Sequence, residues 1–117
     1  MNFTIYHNPK CSKSRAALTI LQNHGINPII IEYLKTPLNL EQIRKLRSNF
    51  NLNEFIRCNE PIFKKLTLTL DNEEKAIKTI LKEPILMQRP IITYGDLAII
   101  GREPEKLIEF INKATKL

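Results

Sequence analysis

The stretch FTIYHNPKCSKSRAALTILQNHGINPIII, residues 3–31, decides the fold class of this chain. Phe3–Tyr6 alternates apolar and polar side chains and is rich in β-forming residues, and the Asn8-Pro9 pair after it is typical of a turn. An apolar face at helical spacing follows, and Ile29–Ile31 closes the stretch as a second β-rich run. The sequence therefore predicts a βαβ unit within about thirty residues.

Particular residues mark the ends of the predicted helix. Ser12 or Ser14 is expected to cap its N terminus, since a hydroxyl can accept a hydrogen bond from the free amides of the first turn. His24-Gly25 is expected to end it, because glycine readily adopts the left-handed conformation. Pro28 then opens the run Ile29–Ile31, which predicts a strand buried on both faces. The apolar face of the helix comprises Ala17, Leu18 and Leu21.

The middle of the chain carries helical signals. Asn39, followed three residues later by Gln42, predicts a capping box at the start of one helix, and Asp71–Glu74 offers the cap of another. The less regular segment Asn53–Lys65 predicts a short helix before Pro61. The apolar positions are Leu40, Ile43, Leu46 and Phe50 in the first longer helix and Ala76, Ile77, Ile80 and Leu81 in the second.

The last part of the chain returns to β character. Ile91–Thr93 and Leu97–Ile100 flank Tyr94–Asp96, a pattern typical of a β-hairpin. Glu103-Pro104 then starts a final helix, because proline is favourable at the first helical position. The order β-α-β, helical insert, β-β-α predicts an α/β, thioredoxin-like fold with a mixed four-stranded sheet. We expect a single domain over residues 1–117, with the helical insert at about residues 38–84.

Composition and charge limit the class of protein. The 117 residues are 43% hydrophobic and 26% charged, which fits one folded domain and argues against disorder. No run approaches the roughly 18 apolar residues of a membrane helix, and the first residues lack the features of a signal peptide, so a soluble cytoplasmic protein is expected. The basic residues behind the net charge of +6 are scattered and aromatic residues make up only 7%, so neither a nucleic-acid nor a membrane partner is expected.

Cys11 is the candidate reactive residue, because it lies where the first strand turns into the first helix. The free amides and the dipole of a helix N terminus favour thiolate over thiol and also bind oxyanions. Lys10, Lys13 and Arg15 add positive charge, and His7 is placed to donate a hydrogen bond across the turn. The competing interpretation is a small buried cysteine, but the polar neighbours of Cys11 favour a reactive one.

The spacing around Cys11 excludes several other cysteine chemistries. A dithiol oxidoreductase would have a second cysteine three residues on, where this chain has Ser14. A cysteine phosphatase loop would have arginine six residues on, where this chain has Ala17. Two cysteines and two histidines without paired spacing argue against a metal site. A single-cysteine chemistry remains, in which an outside thiol completes the redox cycle.

Four segments spaced along the chain carry a resemblance to a known family. They are HNPKCSKSR at residues 7–15, EYLKTP at 32–37, PILMQRPII at 84–92 and IGREPE at 100–105. Together they resemble the glutaredoxin-dependent arsenate reductases, the ArsC family, within a wider group that also holds uncharacterised reductase-like proteins and Spx-type transcription regulators. The resemblance implies a thioredoxin-like fold with a helical insert, in agreement with the order of elements.

The same resemblance implies a reaction and its partners. The cysteine thiolate would attack arsenate to give a thiol–arsenic adduct, glutathione would attack next, and glutaredoxin would reduce the mixed species so that arsenite leaves. Glutathione is then a co-substrate, glutaredoxin a protein partner and arsenate or a similar oxyanion the substrate. No bound cofactor is expected, and the protein is expected to be a monomer.

Site residues follow from the matching positions of the motifs. Cys11 matches the nucleophile and His7 the histidine that supports its thiolate. Pro90 matches a cis proline that faces the active cysteine, and Ser14 and Arg15 are expected to lie near the site in structural roles. Arginine suits an oxyanion because the guanidinium stays charged and offers forked donors. The arginines expected to hold the oxyanion and its adducts are Arg57, Arg89 and Arg102.

Three questions stay open at this level. The substrate could be another molecule reduced with glutathione through the same chemistry. The chain could instead be an Spx-like regulator that binds RNA polymerase, although that branch usually carries Cys-x-x-Cys, which Ser14 interrupts here. Cys58 is either a resolving thiol for Cys11 or an incidental cysteine.

Overall fold

One mixed sheet organises the computed structural model of this chain, which describes residues 2–116. Its four strands are β1 (Phe3–Tyr6), β2 (Ile29–Ile31), β3 (Ile91–Tyr94) and β4 (Leu97–Ile100), in the spatial order β2-β1-β3-β4. The β1–β2 pair is parallel, and the β1–β3 and β3–β4 pairs are antiparallel. The predicted mixed four-stranded sheet is confirmed, with the parallel pair from the βαβ unit and the antiparallel pairs from the hairpin.

Two helices accompany this sheet in the first of two compact units, which comprises Met1–Tyr33 and Arg89–Leu117. They are α1 (Ser12–Asn23) and, at the end of the chain, a helix over Pro104–Thr115, and the two pack against each other. Both lie where the sequence predicts helices, since apolar residues recur every three to four positions. The buried core of the unit consists of Phe3, Ile5, Ala17, Leu21, Ile92, Leu107, Ile111 and Ala114.

The exposure of β2 contradicts the prediction that this strand is buried on both faces. Ile29 is 50% exposed and Ile30 46% exposed. The physical reason is position, because β2 is an edge strand that pairs only with β1. Apolar composition alone does not distinguish an edge strand from a central one.

The cap of α1 also differs from the prediction. The N-cap residue is Cys11, with extended backbone angles. Ser12 is the first helical residue, and Ser14 is buried one turn into the helix. Neither serine therefore caps α1. The C-terminal prediction is confirmed, because the helix ends at His24 and Gly25 adopts a φ of +74°.

The second unit, Leu34–Gln88, is helical. The predicted capping box is present, as the Gln42 amide donates to Asn39 and the Asn39 amide donates to the Gln42 side chain. At the second predicted cap, Asn72 accepts from the Lys75 amide. Its helices are α2 (Leu40–Arg47), α3 (Leu52–Phe55), α4 (Pro61–Lys65) and α5 (Glu73–Lys82), with a 3₁₀ turn at Pro84–Leu86, and the final helix of the chain is α6 (Pro104–Thr115).

Two details of this unit differ from expectation. The segment predicted to hold one short helix before Pro61 holds α3, and a second short helix, α4, begins at Pro61 itself. Phe50 is not a helical residue, because α2 ends at Arg47. Within the described residues, no helix is both long enough and apolar enough to cross a membrane.

Candidate active site

Strand register brings three separate parts of the first unit to one end of the sheet. Tyr6, the last residue of β1, pairs with Ile91, the first residue of β3, and Ile91 pairs with Ile100, the last residue of β4. The loop after β1, the segment before β3 and the segment after β4 therefore meet at the same edge. These parts hold Cys11, Arg89, Pro90 and Arg102.

The loop after β1 is shaped by Asn8. The Cys11 amide donates to the Asn8 carbonyl at 3.0 Å, and the Lys10 amide donates to the Asn8 side-chain oxygen at 3.0 Å. The loop is also tied to the sheet, because the His7 amide donates to the Ile31 carbonyl at 2.8 Å. These bonds place Cys11 at the N-cap of α1. Asn8 was not predicted as a site residue, although the Asn8-Pro9 pair indicates the turn that Asn8 shapes.

Cys11 is partly buried and carries a free thiol. Burial by itself raises the pKa of this thiol, but several donors act in the other direction. They are the Ser14 backbone amide, the Arg89 side chain, which also supplies its positive charge, and the Lys13 backbone amide. The balance lowers the pKa of Cys11 below the ordinary value of a cysteine, which favours the nucleophilic thiolate.

His7 and Ser14 form a buried pair beside this loop. The His7 Nδ1 and Ser14 Oγ atoms are hydrogen-bonded at 2.6 Å, and the Asn8 amide donates to the same hydroxyl at 3.1 Å. Burial lowers the pKa of His7, the nearby Glu32 carboxylate partly opposes this, and the Arg15 charge adds to the lowering. The predicted hydrogen bond of His7 across the turn is made with Ser14. The lowered pKa of His7 favours the neutral imidazole near pH 7. Its support of the Cys11 thiolate stays a prediction.

Arg15 and the lysines on either side of Cys11 form the exposed rim of the loop. Arg15 donates from Nη1 to the Pro9 carbonyl at 2.9 Å. Lys10 and Lys13 are both exposed. The predicted structural role of Arg15 near the loop is consistent with this contact, and the rim adds positive charge around the thiol.

Arg89 and Pro90 form the segment before β3, at the same end of the sheet as the cysteine loop. The Arg89–Pro90 peptide is cis, as the resemblance implies. The Arg89 side chain lowers the pKa of the Cys11 thiol by donating to it and by its charge, and the Arg89 main-chain carbonyl accepts a hydrogen bond from Arg102 Nη1 at 2.9 Å. The Gly101 amide donates to the Pro90 carbonyl at 2.9 Å. Cys11, Arg89 and Arg102 are thus brought together within the first unit.

Arg57 and Cys58 belong to the second unit. Arg57 pairs with Glu60, and its amide donates to the Leu86 carbonyl at 2.7 Å. Cys58 is a free, partly buried thiol whose Sγ lies 3.7 Å from the Ile56 carbonyl oxygen. The contact of Arg57 with an oxyanion stays a prediction, as does either interpretation of Cys58. Across the described residues, no group of three His, Cys, Asp or Glu side chains could hold a metal ion.

Comparisons with known proteins show the family and the fold of this chain. Residues 6–110 match the model of the ArsC family. An arsenate reductase of Haemophilus influenzae is 36% identical over 95% of this chain and all of its own length, and the uncharacterized protein YfgD of Escherichia coli is 38% identical over 92% of this chain and 94% of its own. A solved arsenate reductase from Vibrio cholerae superposes with a TM-score of 0.85 at 35% identity, covering 93% of this chain and 97% of its own. The similarity confirms the predicted thioredoxin-like fold class.

Proposed function

Because the chain belongs to the ArsC family, we propose that it is an oxidoreductase that reduces arsenate to arsenite through Cys11. The observation that carries this proposal is the position of Cys11 at the N-cap of α1, at the same end of the sheet as Arg89, whose side chain lowers the pKa of the thiol. That arrangement joins an activated nucleophile to a group that binds oxyanions. Relatives at 34–36% identity over most of the chain are named arsenate reductases, which supports this choice of substrate.

The proposed reaction has four chemical steps. The Cys11 thiolate attacks arsenic(V), a sulfur–arsenic bond forms, and one arsenate oxygen leaves as water. The glutathione thiol then replaces a second oxygen, which also leaves as water. A glutaredoxin thiolate finally attacks the glutathione sulfur, so a mixed disulfide forms and the electron pair of the broken sulfur–arsenic bond stays on arsenic(III). Hydrolysis of the remaining bond releases arsenite and regenerates Cys11.

Three arginines and the start of α1 are proposed to act on the thiolate or on the oxyanion. The Arg89 guanidinium stabilises the thiolate before attack and can bind arsenate oxygens with its forked donors. The free amides at the start of α1 provide a second group of donors for the same anion. Arg102 and Arg57 are proposed to contact the oxyanion or its adducts, as the family resemblance implies.

The partners are part of the proposal. Glutathione and glutaredoxin supply the two electrons, so no bound cofactor is required, and a reducing compartment such as the cytoplasm suits them. The protein is proposed to act as a monomer. Exposed Lys10 and Lys13 on the rim fit co-substrates that carry carboxylates, as glutathione does.

The direct test measures arsenite release from arsenate with glutathione and glutaredoxin present. The wild-type protein is expected to turn over, and Cys11→Ser is expected to lose turnover because no nucleophilic sulfur remains. Cys58→Ser is the matched control, since it removes the other free thiol, and it is expected to keep turnover.

Other outcomes would change the proposal in defined ways. Loss of turnover in Cys58→Ser as well would indicate that Cys58 acts as a resolving thiol. An inactive wild-type protein whose Cys11 still forms a mixed disulfide with glutathione would favour a reductase of another substrate. A wild-type protein in which Cys11 reacts with neither arsenate nor glutathione disulfide would overturn the assignment.

A further inference from the structure

We propose that Arg102 is a positioning residue, which sets the reactivity of Cys11 by holding the main chain of Arg89. This inference deepens the proposed function and rests on it only for the role of Cys11 as nucleophile. The family resemblance assigns Arg102 to the oxyanion, and the structure gives it a second role, because its Nη1 is bonded to the protein main chain.

Arg102 is bound directly to the main chain of Arg89. Arg102 Nη1 donates to the Arg89 carbonyl oxygen at 2.9 Å, and both residues are partly buried. A charged donor makes a stronger hydrogen bond than a neutral one, particularly away from bulk water. The bond joins two residues 13 positions apart, on either side of the β3–β4 hairpin. It therefore fixes one side of the hairpin base relative to the other.

A second bond holds the neighbouring peptide. The Gly101 amide donates to the Pro90 carbonyl at 2.9 Å, so consecutive residues after β4 bind consecutive carbonyls before β3. The two segments are closely packed, because a Cβ atom on Gly101 would lie 2.5 Å from Ile92 Cδ1. The main chain that carries the Arg89 side chain is thus held at two adjacent points.

The hydrogen bonds that hold the Arg89 main chain also affect the Cys11 thiol. Arg89 lies at the same end of the sheet as the Cys11 loop, and its side chain lowers the pKa of the thiol by donating to it and by its charge. Hydrogen bonds weaken steeply when distance and angle depart from their optimum. A guanidinium on a loosened main chain would make that bond less often. Loss of Arg102 is therefore expected to weaken the Arg89–Cys11 contact although Arg102 itself need not touch the sulfur.

The test is a double-mutant cycle read out on the thiol. The rate of Cys11 alkylation by iodoacetamide is measured from pH 5 to 10 in a Cys58→Ser background, so that one thiol reacts. Arg102→Leu is expected to slow alkylation at pH 7 by about two- to ten-fold and to move the profile to higher pH, because one supporting hydrogen bond is lost. In an Arg89→Gln background the same substitution is expected to change the rate by less than about two-fold, since the group it acts through is gone.

Controls separate positioning from charge and from misfolding. Lys106→Leu removes a positive charge from the start of α6, where Lys106 pairs with Glu103, and is expected to leave the profile unchanged. Arg102→Lys keeps a charged donor and is expected to restore part of the rate. If Arg102→Leu does not fold, the comparison of Arg102→Lys with Arg102→Gln in both backgrounds gives the same cycle.

An equal effect of Arg102→Leu with and without Arg89 would overturn the inference, because it would mean that Arg102 acts on Cys11 directly through its charge. An unchanged profile in the single variant would also overturn it. Neither readout uses arsenate or glutathione, so failure of this inference is distinguishable from failure of the proposed function.

Discussion

His7 illustrates at the scale of one residue how burial makes a titratable group depend on its partner. The side chain is 6% exposed, and its hydrogen bond to Ser14 at 2.6 Å satisfies Nδ1. Burial favours the neutral imidazole and lowers the pKa of His7, although Glu32 works against this. Ser14 is itself fully buried in the first turn of α1, so the pair links the residue that follows β1 to the start of the helix.

The lowered pKa of His7 predicts a loss of stability in acid. The unfolded histidine binds a proton below about pH 6.5, whereas folded His7 does so only at lower pH. Between the folded and unfolded pKa values of His7 the unfolded state binds more protons, so the free energy of unfolding falls as the pH falls. Below the folded pKa both states bind this proton, and His7 no longer makes the free energy of unfolding depend on pH. His7→Gln is expected to be less stable at pH 7 by about 1 kcal/mol, because the bond to Ser14 is weakened, and to show a shallower pH dependence.

Urea unfolding between pH 4.5 and 7.5 measures this effect. The matched control is His24→Gln, since His24 is the other histidine of the chain and lies exposed at the end of α1. The control is expected to keep the wild-type slope. A His7→Gln variant with the full wild-type slope would show that other groups produce the acid sensitivity.

At the scale of elements, the junction of β3 and β4 depends on the absence of one methyl group. Gly101 is buried, and a Cβ there would lie 2.5 Å from Cδ1 of the fully buried Ile92. Gly101→Ala is expected to destabilise the protein by about 1–3 kcal/mol through overpacking. Ile92→Val removes the clashing atom and by itself costs about 0.5–1.5 kcal/mol. The loss of unfolding free energy in the double variant is therefore expected to be smaller than the sum of the losses in the two single variants.

The comparison of unfolding free energies in urea gives the coupling between the two positions. Gly25→Ala is the control, because Gly25 has a φ of +74° and nothing within 4 Å of its would-be Cβ. It is expected to cost about 1 kcal/mol through backbone strain, and Ile92→Val is not expected to rescue it. Simple additivity between Gly101→Ala and Ile92→Val would show that the strand junction relaxes around the new methyl group.

Elements were predictable where local chemistry determines them. The Asn39 capping box and the turn between β3 and β4 depend on residues a few positions apart, and both are present. The burial of Ile29–Ile31 was not predictable, because it depends on which strands reach the centre of the sheet. The N-cap residue of α1 was also predicted wrongly, since Cys11 holds that position and Ser12 and Ser14 lie inside the helix.

At the scale of the whole molecule, the candidate site is assembled from two distant chain segments. The segment up to Tyr33 supplies Cys11, and the segment from Arg89 onward supplies Arg89 and Arg102. Motifs in the sequence identified these residues, but their proximity depends on the pairing of Tyr6 with Ile91 across the sheet. The bond from Arg102 to the Arg89 carbonyl had no signal in the sequence, because it joins a side chain to a backbone atom.

The distribution of charge over the molecule gives a further prediction. The net charge is +6, and Lys10 and Lys13 are exposed on either side of Cys11. A positive local potential concentrates anions at the thiol and is screened over about 10 Å at 0.1 M salt. At low salt, the rate of alkylation by the anion iodoacetate is therefore expected to rise relative to the rate of alkylation by neutral iodoacetamide. The ratio of the two rates is expected to fall several-fold between about 0.01 and 0.5 M salt.

Two variants with the same net charge locate the source of this potential. Lys10→Gln/Lys13→Gln and Lys106→Gln/Lys113→Gln each lose two positive charges, the second pair from α6. At physiological salt only the first is expected to lower the rate ratio, because screening leaves only charges within about a Debye length effective. An equal decrease of the rate ratio in both variants would show that the total charge of the molecule, and not the charge beside Cys11, attracts the anion. A ratio that does not respond to salt would mean that the rim of the cysteine loop does not attract anions, and arsenate capture would then depend on the arginines of the site and the start of α1.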